Sequence, residues 1–263
     1  MPSFLIIPDR KNMDESYELA DRYGLGFEFN DFFSPGALDD AAGTDAVIDE
    51  YMREEGRRLP SLRTSHGDFF DVLVFSEDAR IREISEERIR QSIAISEKLK
   101  AKGTIFHSNI CPELHMESYI NNWIDKNEAF WKRICSEYPD MEFYLENMFD
   151  SDPEPIRELA VRMKDVPNFG ICLDYAHAAC FGKARFIGDW ADKLGPYVKH
   201  VHINDNDLHS DLHLAIGDGR IDWDGFMLHC EKYFKDCTIL IETNGAQKQR
   251  ASIDFLKRYG FFV

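Results

Sequence analysis

Short apolar runs alternate with longer amphipathic stretches from one end of the chain to the other. Eight runs read as strands: SFLIIP (3–8), GFEFN (26–30), SLRTSH (61–66), TIFHSN (104–109), EFYLEN (142–147), GICLDY (170–175), KHVHIN (199–204) and TILIET (238–243). Between them, ESYELADRYG closes on Gly24, and SEERIRQSIAISEKLKAKG carries Ile89 and Ile93 one helical turn apart, with Gly103 as its expected stop. Strands alternating with helices imply βαβ units and a parallel sheet. Eight such units can close into a (β/α)8 TIM barrel, an α/β fold, and an open seven- or eight-stranded sheet is the alternative. No internal repeat, low-complexity tract or Pro/Gly/Ser linker divides the sequence, so residues 1–263 are expected to form one barrel domain. Segments 31–45 and 67–76 read as loops that follow strands.

The composition, 44% hydrophobic and 30% charged, provides for a sizeable core and a soluble globular chain. The opening MPSFLIIPDR has no basic leader or small-residue cleavage pattern, and no later run reaches the roughly 18 to 20 apolar residues of a membrane span. Six scattered cysteines without a Cys-x-x-Cys pair fit reduced thiols. A cytoplasmic protein with no membrane partner is expected. The net charge of −17 repels polyanions, which makes nucleic acid an unfavourable partner.

Candidate chemistry sits where the apolar runs end, at Glu28, His66, His107, Glu146, Asp174, His202 and Glu242. In a parallel barrel all these strand ends converge on one face. Alternation puts Tyr144 on the same side as Glu146, Cys172 with Asp174, His200 with His202, and Leu240 with Glu242. One strand-end His or Glu is commonly just a satisfied polar group; seven in register with strand ends are a pattern. Grouped carboxylates repel one another and are costly to desolvate, and a divalent cation removes both problems. Mixed imidazole and carboxylate donors suit zinc, manganese, iron or cobalt better than calcium.

Two neighbouring segments extend the set. LDYAH places His177 three residues after Asp174, and HVHINDNDLHSDLHLAIGDGRIDW (200–223) returns Asp211 and His213 toward the mouth after His202. Gly217 and Gly219 permit a tight turn, and Asp222 is a candidate helix cap. His200, one strand step deeper, is expected to be a packed core histidine; His115, His209 and His229 are expected at the surface, and Asp205, Asp207 and Asp218 in a solvated acidic loop. Phe32, Phe33, Phe69 and Phe70 either wall a small-molecule pocket or pack against the barrel or a partner subunit. Neither common Gly-rich nucleotide fingerprint is present.

The ordered motifs LENM, CLDYAH, VHINDN, DLHLAIGDGRIDW and LIETN, from about residue 60 to the end, resemble the xylose isomerase-like TIM-barrel superfamily. That superfamily holds sugar isomerases and epimerases and the endonuclease IV type of abasic-site nuclease. The resemblance to tagatose epimerase-like enzymes implies one divalent metal on Glu146, Glu242, Asp174 and His202, with the two glutamates also acting as acid and base. The resemblance to endonuclease IV implies three zinc ions on nine residues, matched by His66, His107, Glu146, Asp174, His177, His202, Asp211, His213 and Glu242. His213, where several epimerases carry arginine, favours the second arrangement, although some isomerase-type relatives share it.

Charge points toward a small substrate. Three Zn²⁺ would leave −17 + 6 = −11, and the loops NDFFSPGALDDAAGTD and GDFFDVLVFSEDAR hold few cations for phosphate contacts. The expected function is therefore a metal-dependent sugar or sugar-phosphate isomerase or epimerase holding one Mn, Co, Mg or Zn ion. Glu146 and Glu242 are its proton-transfer pair, and His66, His107, His177 and His213 its substrate-binding groups. The alternatives are an endonuclease IV-like zinc phosphoesterase with up to three ions and a non-catalytic sugar- or metal-binding barrel. A homo-oligomer is open, since many relatives assemble.

Overall fold

The computed structural model describes residues 1–182 and 187–262. Eight parallel strands close into a barrel in sequence order, β1 (Ser3–Ile6), β2 (Gly26–Phe29), β3 (Arg63–His66), β4 (Gly103–His107), β5 (Glu142–Glu146), β6 (Phe169–Asp174), β7 (Val198–Ile203) and β8 (Thr238–Ile241). β8 pairs back onto β1, with Ile241 opposite Ile6, so the barrel has no edge strand among the described residues. The expected strands all form, and the open sheet is excluded.

Among the described residues ten helices wrap the barrel: α1 (Met13–Tyr23), α2 (Pro35–Asp39), α3 (Ala41–Met52), α4 (Ala79–Lys98), α5 (Glu117–Glu137), α6 (Glu154–Met163), α7 (Tyr175–Phe181), α8 (Ile187–Leu194), α9 (Trp223–Tyr233) and α10 (Ala246–Leu256). Gly24 ends α1 at φ 64°, returning its N–H to Ala20 O. Gly103 does not stop α4. That helix ends at Lys98, Lys100 takes the left-handed turn at φ 53°, and Gly103 opens β4 instead. There a Cβ would strike the Tyr144 ring, so close packing inside the barrel explains the glycine better than chain reversal does.

Alternation along the strands sorts two interiors. Phe27, Phe29, Phe106, Phe143, Leu145, Ile171, Leu173, Val201, Ile203, Ile239 and Ile241 face the helices and join one large core. The other face fills the barrel lumen, where Ile105, Tyr144 and Cys172 form a separate small cluster beside buried Glu28, Thr64 and His200. The lumen is thus partly polar, and its upper layer is made of candidate ligands. No helix among the described residues is long and apolar enough to cross a membrane, and the six cysteines are free thiols.

Candidate metal centre

All nine candidate ligands meet at the C-terminal mouth of the barrel. Three sets have donor atoms within 4.8 Å of one another, His66, His107 and Glu146; Asp174, His202 and Glu242; His177, Asp211 and His213; and a fourth, Glu146, Asp174 and His177, overlaps all three. His66, His107, Glu146 and Asp174 are the last residues of β3, β4, β5 and β6. His202 is one residue before the end of β7, and Glu242 one past the end of β8.

The distances fit a metal shell. Glu146 Oε2 lies 3.2 Å from His66 Nε2 and 3.6 Å from His107 Nε2, while Oε1 lies 3.3 Å from His202 Nδ1. Asp211 Oδ2 lies 3.4 Å from His177 Nε2 and 3.0 Å from His213 Nε2. Ligands at about 2.0–2.2 Å from a shared ion are separated by roughly 3.0–3.6 Å in octahedral or tetrahedral geometry. Glu146 is therefore placed to bridge two groups, one through each oxygen.

Hydrogen bonds at the far side of each imidazole set its tautomer. Nδ1 of His66 donates to Gly67 O at 3.0 Å, of His107 to Phe69 O at 3.1 Å, of His177 to Asn147 O at 3.0 Å and of His213 to Glu242 O at 2.9 Å. His202 is turned the other way: its Nε2 lies 3.1 Å from Glu28 Oε1, off the ideal donor axis, which leaves Nδ1 for the mouth. With its outward nitrogen protonated, each ring leaves the inner nitrogen facing a carboxylate, where a second proton or a cation can sit. Lone pairs facing lone pairs repel unless a cation lies between them. Glu146 Oε1, Asp174 Oδ2, His177 Nε2, His202 Nδ1 and Asp211 Oδ1 are buried without hydrogen-bond partners among the described residues, as a ligand set for cations requires.

The same electrostatics moves the protonation equilibria. Burial drives His107 down to about 3 despite Glu146, so it stands neutral and ready to coordinate. Burial raises Glu146, but the imidazoles of His202 and His107 outweigh it and hold that carboxyl well below the usual range. Asp174 is pushed up by burial and by Glu242 and Glu146. Burial lowers His177 and His202, yet Asp174 beside the first, and Cys172, Glu146 and Glu28 around the second, raise both well above the imidazole range. Without a divalent cation, protons are the counter-charge.

Several placements correct the sequence reading. Asp205 is not solvated: it is fully buried, accepting from the backbone N of Asn206, Gly217 and Ile221 and from Trp223 Nε1 at 2.9–3.1 Å. This carboxylate, with the Asp205–Leu214 bridge, folds the loop back and delivers Asp211 and His213. Gly217 sits at φ 94°, and a Cβ on Gly219 would strike Asp205. His213 itself adopts φ 44°, an uncommon left-handed setting for a non-glycine residue at a site. Asp207 is half-buried and holds the N–H groups of His209 and Ser210, whereas Asp218 is exposed. Asp222 caps α9 through Gly225 N, as expected. His115 and His209 are exposed, but His229 is half-buried against Tyr175 Oη.

Glu28 and His200 lie one layer beneath the mouth. Glu28 also takes Thr64 Oγ1 at 2.7 Å and approaches His200 Nε2 at 3.0 Å, so it braces His202 from inside the lumen. The four phenylalanines divide: Phe32 is buried in the helix-side core, Phe33 stacks on Phe69 at 4.0 Å, Phe69 lies on His66 and His107, and Phe70 is exposed. Two asparagines had no assigned role. Asn147 joins β5 to β6 by donating to Asp174 O and accepting from Asp174 N, and Asn204 Nδ2 reaches Glu242 Oε2 at 3.3 Å. Their place in LENM and VHINDN, immediately beyond ligand-bearing strand ends, was the available signal.

A closed parallel barrel with nine metal-type donors at its mouth defines the class: a TIM barrel of the kind that carries sites at its strand ends. Within that class the chain belongs to the xylose isomerase-like TIM barrel family, whose pattern matches residues 18–259. It is 28% identical to the uncharacterized protein MJ1311 of Methanocaldococcus jannaschii over 218 residues, 80% of this chain and 74% of that one. Among solved structures, the TTHB071 protein from Thermus thermophilus, soaked with zinc chloride, superposes with TM-score 0.74 at 22% identity over 98% of this chain and 97% of that one. A D-tagatose 3-epimerase-like protein gives 0.73 at 23% identity, covering 98% and 96%. Endonuclease IV from Thermus thermophilus gives 0.63 at 18%, covering 98% and 100%. At these identities the structural likeness is one of fold. The family contains both sugar epimerases and endonuclease IV, and it typically binds divalent metals.

Proposed function

We propose that this protein is a multinuclear divalent-metal hydrolase acting on a phosphoester of a small molecule. The observation that carries the reading is Glu146, whose two oxygens each face imidazole nitrogens of a different ligand group. A fully buried carboxylate with imidazole nitrogens facing both of its oxygens is suited to bridging ions. His66, His107 and Glu146 would hold one ion, Asp174, His202, Glu242 and Glu146 a second, and His177, Asp211 and His213 a third. Divalent ions there supply Lewis acidity toward phosphoryl oxygens and lower the pKa of water. The chain's own part is to fix the donors, through Asn147, Asn204, Glu28 and the backbone carbonyls, and to exclude bulk water with Phe69.

The surroundings support a small anionic substrate over a duplex. The net charge of −17 repels an extended polyanion more than a single phosphoester, and the groove of about 710 Å³ that Asn244 lines balances Arg10 and Lys11 with Asp9 and Asp31, so it adds no cationic track for a nucleic-acid backbone. A second reading keeps the sugar isomerase or epimerase. It is favoured by the middle group, since Asp174, His202, Glu242 and Glu146 alone can hold a single ion with two glutamates beside it. One experiment separates the two. Zinc-loaded protein should release phosphate or alcohol from simple phosphoesters such as bis-p-nitrophenyl phosphate or p-nitrophenyl phosphate, and chelation should abolish release. Solvent deuterium entering a ketose carbon, with no phosphoester turnover, would establish the isomerase instead.

A further inference from the structure

His213 joins the third candidate group through a backbone setting, φ 44°, that residues with a side chain seldom adopt. Its ring is engaged at both nitrogens: Nδ1 donates to Glu242 O at 2.9 Å, and Nε2 lies 3.0 Å from Asp211 Oδ2. Both contacts depend on where that backbone leaves the Cβ. The next residue is pinned, since Leu214 exchanges two backbone hydrogen bonds with Asp205. The His213 carbonyl takes no part in that bridge and accepts instead from Lys248 Nζ at 2.8 Å. Lys248 is half-buried, and among the described residues it pairs with no carboxylate, whereas Lys98, Lys132, Lys232 and Lys257 all pair with Asp or Glu. A hydrogen bond from an ionised donor is roughly twice as strong as a neutral one.

The helix that carries Lys248 is itself tied to the site. Gln249 Nε2 donates to Thr243 O at 3.1 Å and to Ile7 O at 2.6 Å, which fastens the start of α10 to the chain leaving β8, next to Glu242. One turn further along, Ser252 Oγ accepts from Ile216 N at 3.0 Å, and the Phe255 ring fills the space that a Cβ on Gly217 would need. Positions 248, 252 and 255 share one helix face, so α10 holds loop residues 213–217 along itself. Lys248 acts at the end nearest the ligands.

We infer that Lys248 is a positioning residue for the third ion. Its ammonium holds the His213 carbonyl, and through it the left-handed backbone that directs Nε2 toward Asp211. The inference rests on the phosphoester reading, in which His177, Asp211 and His213 hold that ion, and it specifies what keeps the ion in place.

Zinc titration of metal-free protein against a chromophoric chelator resolves ions by affinity, with no turnover needed. Lys248→Met keeps the stem and removes the donor. It should weaken one of three ions about tenfold, the scale for losing a partner that orients a ligand, and leave the other two at wild-type affinity. Lys248→Arg, which keeps a donor on a long stem, should recover most of the loss. In a His213→Ala background, where the third ion already lacks its ligand, adding Lys248→Met should change nothing further. Two ions in the wild type overturn the role of Lys248, as does unchanged affinity for all three in Lys248→Met. A loss that spreads over all three ions, that Lys248→Arg does not recover or that persists on His213→Ala overturns it too. Each of these results leaves the phosphoester reading standing, whereas a single ion in the wild type overturns both.

Discussion

At the residue scale, the ring nitrogen facing away from the mouth decides what each histidine can do. His202 is the case that tests this, because it alone among the candidate ligands turns its Nδ1 inward and is braced by a carboxylate, Glu28, instead of a backbone carbonyl. Glu28→Gln conserves shape but can present an N–H to His202 Nε2, which favours the opposite tautomer. Affinity for the middle ion should fall about 10- to 100-fold, read by zinc titration against a chromophoric chelator; an unchanged affinity would refute the bracing role. Asp150 gives a stability prediction at the same scale. Burial pushes its carboxyl up to about 6, even though Ser108 Oγ and Met148 N donate to Oδ2. A raised folded-state pKa is stabilising below the unfolded value near 4 and is lost as pH rises through 6. Asp150→Asn should therefore flatten the change in stability between pH 4 and 6, measured by denaturant unfolding. Residue types at strand ends were legible as candidate ligands because period-two alternation and the barrel's convergence follow from the strand pattern alone. The role of Glu28 was not, since it rests on which nitrogen of His202 faces down the lumen.

At the element scale, the loop 204–222 carries Asp211 and His213 of the third candidate group, and Asp205 holds the loop. Its Oδ1 accepts from Asn206 N and Ile221 N, and its Oδ2 from Gly217 N and Trp223 Nε1. Asp205→Asn puts an N–H where two donors already point. Stability should drop by about 2–4 kcal/mol, and the Asp211 and His213 ligands should be displaced, losing one ion per chain. An unchanged melting temperature and metal content would refute this. The sequence suggested an acidic solvated turn because aspartates amid glycines usually are one. What overrides that pattern is four N–H groups drawn from 206 to 223, a convergence that exists only once the loop has closed. Strand placement was legible throughout, since the apolar runs are short and evenly spaced. The Gly103 assignment failed because glycine both ends helices and admits close packing, and Tyr144, far along the chain, selects the second use.

At the scale of the whole molecule, folding assembles a pocket of carboxylates and lone pairs whose self-repulsion is relieved by cations, so metal and stability are coupled. Stripping with EDTA should lower the melting temperature, and excess zinc should restore it. Protons compete for the same sites. His213 shows the sign: burial lowers it, but Glu242 and Asp211 prevail and raise it to about 10. In stripped protein its proton contributes stability below about pH 6.5, and that contribution is lost as pH rises through 10. Zinc must displace this proton, so adding zinc to stripped protein at pH 7 in weak buffer should release acid; no release would contradict the coupling. Closure of the barrel and the convergence of nine donors were legible from the order of strands and motifs. Their grouping, with Glu146 between His66 and His107 on one side and His202 on the other, was not, because it depends on ångström-scale separation between side chains on different strands. Elemental analysis of purified, untagged protein decides whether the mouth holds more than one ion. Two to three zinc-type ions per chain are expected, falling in Glu146→Gln. A single ion per chain, with the same content in Glu146→Gln, would contradict it.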